Sequence, residues 1–300
     1  MNKQAYFIRH RRNDNRDGIL FILPALIAFI LFTGIPMLMA FGLIFIDYNL
    51  LKPPTFVGLS HFRRLLMDPM SSRALMNTFR YFIMITPIHC ILALALAYVV
   101  TQVRNTRMRS LYRDLVYFPT IVTTASVAIA WNVMFATDTG FVNYYVRQLG
   151  GSNVPWLTNS GMIYVTTAIF SAWKFIGTTF LYYFVGLQNI PSAYHEAALI
   201  DGASKRQAFF QIGLPLLTPT MFFVFITNMI GVFQIFEEPY FFSRNNPSTK
   251  SMALLIYEMA FDNIRIGYGS LLAIILFLII LVITIVQFVG QRRWVNYDYE

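Results

Sequence analysis

Apolar residues run along this chain in long blocks, separated by short polar stretches. Six blocks, at 18–46, 80–101, 115–136, 161–187, 213–236 and 269–290, have the length of membrane-crossing helices; about 20 apolar residues suffice for a span. The first, "GILFILPALIAFILFTGIPMLMAFGLIFI", holds no charge. It is too long for a signal-peptide core and no small-residue cleavage site follows it, so it predicts a retained helix with Pro24 and Pro36 as kink points. The last, "SLLAIILFLIILVITIVQF", is the plainest of the set. Pro119, Pro215 and Pro219 blur the helix starts of the third and fifth blocks.

The pattern breaks between the fourth and fifth blocks. Residues 194–219 read "YHEAALIDGASKRQAFFQIGLPLLTP", polar and charged for about two helical lengths. Ser192 is placed to cap a helix, and Ala193, Ala197, Ala198 and Leu199 favour one. Gly202 stands where that helix ends, because a left-handed residue is cheap there. Ser204 and Gln207 have capping-box spacing and start a second helix that leads back to the membrane. Ala197 and Ala198 make a shallow face for close approach, and Glu196 and Asp201 offer acceptors to a basic partner. Two readings stand on these residues alone: an interfacial connector with solvated charges, or a docking element.

Composition supports the membrane reading. Charged residues are 12%, apolar residues 57% and aromatics 17%, against about 25% charged in soluble domains. Lys and Arg orient the spans. They crowd the N-terminal tail (Lys3, Arg9, Arg11, Arg12, Arg16) and the 102–114 loop (Arg104, Arg107, Arg109, Arg113), with Lys205, Arg206, Arg292 and Arg293 on the same side. The opposite side has fewer, so both termini are expected in the cytoplasm. The net charge of +9 then reflects anchoring near anionic lipid, since no basic soluble face exists to take a nucleic acid.

Catalytic chemistry finds no foothold. There is one cysteine, Cys90; the histidines are scattered; and neither a P-loop nor a G-x-S-x-G elbow occurs, so no catalytic or metal site is expected. Polar groups inside spans are costly and tend to face a cavity. Asn132, Trp173, Lys174, Asn228 and Gln234 are therefore candidates for a substrate path, each of which can equally bond to neighbouring helices. Lys174 lies midway along its block, where it suits either an acidic substrate or a carboxylate of a partner subunit.

Glu196-Ala197-Ala198, then Gly202, then Ile212-Gly213-Leu214-Pro215 stand in the register of one known pattern, E-A-A, three residues, Gly, nine residues, I-x-L-P. The segment resembles the EAA loop of binding-protein-dependent ABC importer permeases, sugar and oligosaccharide branch. "FVGLSHFRRLL" (56–66), "YFPTIVTTASVAIAWNVMF" (117–135), "GLQNIPSAYHEAALIDGAS" (186–204) and "ALLIYEMAF" (253–261) extend the likeness. Two segments depart from it: "SRNNPSTKS" (243–251) stands where that branch usually carries Gly-Gly-Pro, and "GYGS" (267–270) opens the last span.

The resemblance implies an all-α membrane protein of the type I ABC importer (MetI-like) fold, with six transmembrane helices and a cytoplasmic coupling helix. It implies one permease domain over 18–290, with the EAA loop at 191–212, between cytoplasmic tails 1–17 and 291–300, in a bacterial inner membrane. Carried over by position, Glu196, Ala197, Ala198, Asp201, Gly202, Leu214 and Pro215 couple the chain to an ATPase. The implied partners are an ATPase dimer that holds ATP and Mg, a second, different permease chain, and an extracellular solute-binding protein that delivers a carbohydrate. An acidic sugar, glycerol phosphate or another non-sugar solute is the alternative cargo. An ion-coupled secondary transporter is less favoured, since no internal repeat occurs.

Overall fold

The computed structural model describes residues 19–244 and 246–296; residues 1–18, which include the expected tail 1–17, Asn245, residues 297–300 and the side chain of His195 lie outside the described residues. The described chain is almost wholly helical, with one two-stranded hairpin, and forms two compact units. Five helices are long and apolar enough to cross a membrane, or six if one bent pair counts as a span.

The first unit holds the described residues up to Leu66 together with Met259–Ile274. Helix α1, Ile19–Leu43, carries a π-helical turn at Ile30–Gly34. Pro36 lies just beyond it and lacks the donor a regular helix needs, so the expected irregularity falls there. Pro24 causes none. The sides of α1 are exposed apolar surface, as suits a helix facing lipid. A hairpin, β1 Ile46–Asp47 and β2 Thr55–Phe56, and helix α2, Ser60–Met67, follow. The "GYGS" departure has a packing reason. A Cβ on Gly267 would strike the carbonyls of Ile46 and Leu43 and the ring of His61, and one on Gly269 would crowd Ala260. Tyr268 between them lies under the Arg64 guanidinium, 4.4 Å from ring centroid to charge.

The second unit holds Met67–Glu258 and the chain from Ile275 on. Helix α3, Pro69–Thr101, begins earlier than the block at 80–101: Asp68 caps it by accepting from the Met70 N–H at 2.9 Å, and Pro69 suits a first-turn position. Its 33 residues exceed what a bilayer needs.

The apolar block 115–136 is not one helix. Helix α4, Thr106–Ile121, and helix α5, Thr124–Met134, meet at 89° across Val122 and Thr123, both extended. The block expected as one continuous helix is a bent pair, which counts as the sixth span when the two helices are taken together. The side chain of Lys174, on helix α7 (Ser160–Gln188), stabilises the break: its Nζ donates to the carbonyls of Pro119 at 2.9 Å and Thr120 at 3.0 Å. A helix end in an apolar setting leaves carbonyls without partners, and a cation there also meets the helix dipole favourably. Helix α6, Phe141–Gln148, follows α5, and α7 spans Ser160–Gln188.

Helix α7 is the packing axis of this unit. Ala93 and Ala97 of α3 and Phe180 and Tyr183 of α7 share one buried cluster with Leu217 and Val224. Two glycines let neighbours come close. A Cβ on Gly177 would lie 2.6 Å from Thr120 Oγ1 and 2.9 Å from the Tyr117 Cα, and one on Gly186 would lie 2.7 Å from Thr220 Oγ1. Because the Tyr117 atom is backbone and cannot rotate away, Gly177→Val should cost about 1–3 kcal/mol by forcing α4 off α7. Thermal unfolding of the purified chain in detergent measures it; an unchanged Tm would mean that α4 and α7 do not touch at this point.

The segment after α7 forms helix α8, Ser192–Ile200, and helix α9, Lys205–Ala208, which runs through a π-helical turn at Phe209–Gly213 into Leu214–Leu216. Helix α10, Thr218–Phe233, continues after a short break as helix α11, Glu237–Phe242. Together they form one apolar stretch, Thr218–Phe242, longer than the block at 213–236. Helix α12, Met252–Tyr257, and helix α13, Ile266–Gly290, complete the chain.

Candidate functional site

Two places concentrate polar chemistry. The first is the loop between α7 and α10. Helix α8 ends in a Schellman motif: the Ala203 N–H donates to the Ala198 carbonyl at 2.9 Å and the Gly202 N–H to the Leu199 carbonyl at 3.1 Å. Gly202 has φ +83°, and nothing lies within 4 Å of where its Cβ would be. Conformation, not space, requires glycine here. One residue past Ala203, Ser204 and Gln207 form the expected capping box: Gln207 N–H donates to Ser204 Oγ at 3.3 Å and Ser204 N–H to Gln207 Oε1 at 2.9 Å. Successive caps thus set the angle between α8 and α9 by backbone geometry.

Two local expectations change. Ser192 is the first helical residue and Pro191 occupies the cap, with no side-chain capping bond. Ala197 is exposed but Ala198 is 5% exposed and turned inward, because adjacent residues on a helix lie about 100° apart. The outward face consists of Glu196, Ala197, Ile200 and Asp201, with Ile200 85% exposed. An uncovered isoleucine beside two carboxylates is a surface suited to a protein partner. Leu214 and Pro215 are half-buried, where the chain turns into α10.

The second place is a cleft of about 600 Å³ bordered by α3, α7, α10 and α11. Asn228 joins three of these helices. Its Nδ2 donates to the Val224 carbonyl at 3.0 Å and to Thr179 Oγ1 at 3.1 Å, and its Oδ1 lies 3.0 Å from His89 Nδ1. A carbonyl only accepts, so the Val224 contact orients the amide. His89 Nδ1 then carries a proton and donates to the Asn228 Oδ1. The buried Nε2 lies on the side of the Ser171 backbone, and the His89 ring borders the cleft. Gln234 lines the same cleft and is exposed.

The remaining sequence candidates lie elsewhere. Lys174, 1% exposed, is committed to the α4 carbonyls and borders a neighbouring hollow. Trp173 faces away from the cleft, into an apolar groove with Ile88, Leu92 and Ile176. The Asn132 Nδ2 donates to the Ala128 carbonyl one turn back on its own helix, at 3.0 Å. Of the five, the structure brings Asn228 and Gln234 to one cavity. Two residues that were not candidates join them, Glu237 and Glu238. They lie one residue past the apolar block, and the signal that points to them is two adjacent carboxylates abutting an apolar run that resumes as "PYFF".

A family model described as "Binding-protein-dependent transport system inner membrane component" matches residues 91–296. The chain is 33% identical to the probable ABC transporter permease protein YesP of Bacillus subtilis (strain 168), over 97% of this chain and 95% of that one. It is 30% identical to the arabinooligosaccharides transport system permease protein AraP of the same organism, over 89% of this chain and 86% of that one. Its fold matches the crystal structure of a bacterial ABC transporter involved in the import of the acidic polysaccharide alginate, with a TM-score of 0.81, 23% identity, and coverage of 96% of this chain and 100% of that one.

Proposed function

The chain belongs to the binding-protein-dependent transport system inner membrane component family, and from that premise we propose that it is one permease subunit of an ABC importer for a sugar or oligosaccharide. An extracellular binding protein delivers the cargo. A separate ATPase dimer, which holds ATP and Mg, docks on α8 from the cytoplasm, and both termini lie on that side of a bacterial inner membrane. A second permease chain, different from this one, completes the path. ATP-driven closure moves α8 as a rigid lever, and the permease halves alternate between inward-facing and outward-facing states.

The observation that carries this reading is the doubly capped loop. Glu196, Ile200 and Asp201 stand outward on a short helix whose angle to the span behind it is set by Gly202 and the Ser204–Gln207 box. A solvated connector has no use for that rigidity. The names of YesP and AraP support the sugar branch. Family membership removes the ion-coupled secondary transporter from contention.

Co-purification tests the docking. The tagged chain, co-expressed with the second permease and the ATPase, should retain the ATPase in detergent, and Glu196→Lys should lower that retention by about tenfold, the effect of some 1.4 kcal/mol at an interface. Equal retention by the variant removes Glu196 from the interface, and absence of the ATPase from the wild-type preparation removes the docking itself.

A further inference from the structure

A hollow of about 490 Å³ lies behind α8, where the end of α3, the start of α4, the end of α7 and the helices α8 and α9 meet. Arg109 of α4 and Lys205 of α9 line it, and no Asp or Glu does. Among the described residues neither side chain has an ion-pair or hydrogen-bond partner. Their neighbours in the chain are engaged. Arg113, one turn along α4, pairs with Asp114 at 2.9 Å, and the Arg206 guanidinium lies 5.8 Å from the centre of the Phe210 ring. Gln102, Gln188 and Ser192 add neutral donors to the lining. Tyr98 and Phe209, with ring centroids 4.1 Å apart, and the buried Ile190 supply its apolar wall.

We infer that this hollow binds a phosphate group, carried by the headgroup of an anionic phospholipid or free in the cytoplasm, between Arg109 and Lys205. Its place at the cytoplasmic face rests on the reading of the chain as an importer permease. Phosphate suits the lining. The Arg109 guanidinium presents a planar fork to two of its oxygens, and the Lys205 ammonium meets a third as a point charge. Like charges that face one hollow without a counter-charge repel, and a phosphate removes that repulsion. Basic pockets between spans on the cytoplasmic side are where anionic headgroups settle, and the apolar wall takes the carbon skeleton that such a phosphate carries. The hollow stays free when an ATPase covers the outward face of α8. Ser192 and Leu199, two turns apart, are the α8 residues that line it, whereas Ala197 and Asp201 stand about 160° round the helix from Leu199. A phosphate held by both cations ties α9 to α4 and so holds the turn at Gly202 against the spans.

Binding is measured on the purified full chain in detergent, where no ATPase contributes a phosphate site of its own. Dioctanoyl phosphatidylglycerol and inorganic phosphate are the probes, and dioctanoylglycerol, which lacks the phosphate, is the control. Native mass spectrometry counts the bound probe, and the rise in Tm is followed at each concentration. At least one phosphate probe should bind saturably, and the control should bind about tenfold more weakly or worse. Arg109→Gln and Lys205→Gln should each weaken binding about tenfold, the value of one charge-assisted hydrogen bond. Arg109→Lys keeps the charge and loses the fork, so it should bind more tightly than Arg109→Gln. Arg107→Gln removes an exposed charge outside the lining and should leave binding unchanged, which separates the hollow from general attraction to a basic surface. Lipid binding that inorganic phosphate does not displace supports the site and names a headgroup as its ligand; displacement by inorganic phosphate supports it and names the free ion as a competitor.

No saturable binding of either probe, binding that Arg109→Gln and Lys205→Gln leave unchanged, or equally tight binding of dioctanoylglycerol overturns the inference and leaves the saccharide permease standing. In the complete transporter, Arg109→Gln combined with Lys205→Gln should raise the ATP hydrolysed per saccharide imported, and an unchanged ratio overturns the tie between α9 and α4. Failure of every saccharide to enter, with phosphate bound at Arg109 and Lys205, overturns the permease reading and leaves the site.

Discussion

Gly202→Pro will abolish ATP-driven uptake while leaving the membrane-embedded helices folded. Gly202 sits at φ +83°, and its N–H closes the Schellman motif on Leu199. Proline locks φ near −65° and has no N–H, so the variant loses both the bond and the direction in which the chain leaves α8. The turn then re-forms with α8 pointing elsewhere, and closure of the ATPase no longer moves the span that begins at Thr218. We expect uptake to fall about a hundredfold or more, the effect of about 3 kcal/mol. Gly202→Ala grades the effect. Nothing stands within 4 Å of the new methyl group, so its cost is the left-handed backbone alone, about 1–2 kcal/mol, and uptake should fall about tenfold. ATP hydrolysis by the complex, assayed beside uptake, separates lost coupling from lost assembly. Full uptake by the proline variant would show that the angle at this turn transmits nothing.

The parts of this protein that were legible in its sequence are those specified by neighbours in the chain. Gly202, Ser204 and Gln207 act within a few residues of one another, and their spacing alone predicted the turn and the capping box that the structure contains. Apolar blocks located five helical spans to within a turn or so, except where a polar helix start such as Asp68–Pro69 precedes the apolar run. What was not legible depends on distant partners. The residues over 115–136 are apolar enough for one helix, and Pro119, which blurs a helix start there, does not by itself announce an 89° break at Val122–Thr123. It is held from 55 positions away, by the Lys174 bond to Pro119. Ala198 seemed as free as Ala197, and only the tertiary packing turns it inward. Glu237 and Glu238 were missed for a different reason. Counting apolar residues ends a span at the first charge, whereas this stretch continues to Phe242 and carries both carboxylates to a cavity.

Lys174→Met should therefore lower transport of every cargo alike. The lysine is 1% exposed and donates to the carbonyls of Pro119 and Thr120, among the last of α4, while the Thr120 hydroxyl donates back to the Lys174 carbonyl at 3.1 Å. Methionine has similar length and no donor, so it fills the space and leaves two buried carbonyls unpaired. Each such group costs about 1–3 kcal/mol, and about 3 kcal/mol for the pair is a reasonable sum. The loss falls on the break between α4 and α5, so the bent pair loses its fixed angle and the Tm in detergent drops. Glu237, in the hollow that Lys174 borders, loses a nearby positive charge at the same time. Half-saturation for uptake should stay near the wild-type value, because no ligand contact has been removed. A lysine that instead met the cargo would give the opposite pattern: an unchanged Tm, and a higher half-saturation confined to anionic saccharides. Measuring Tm and half-saturation on one preparation of Lys174→Met thus decides between a helix-end clamp and a substrate contact.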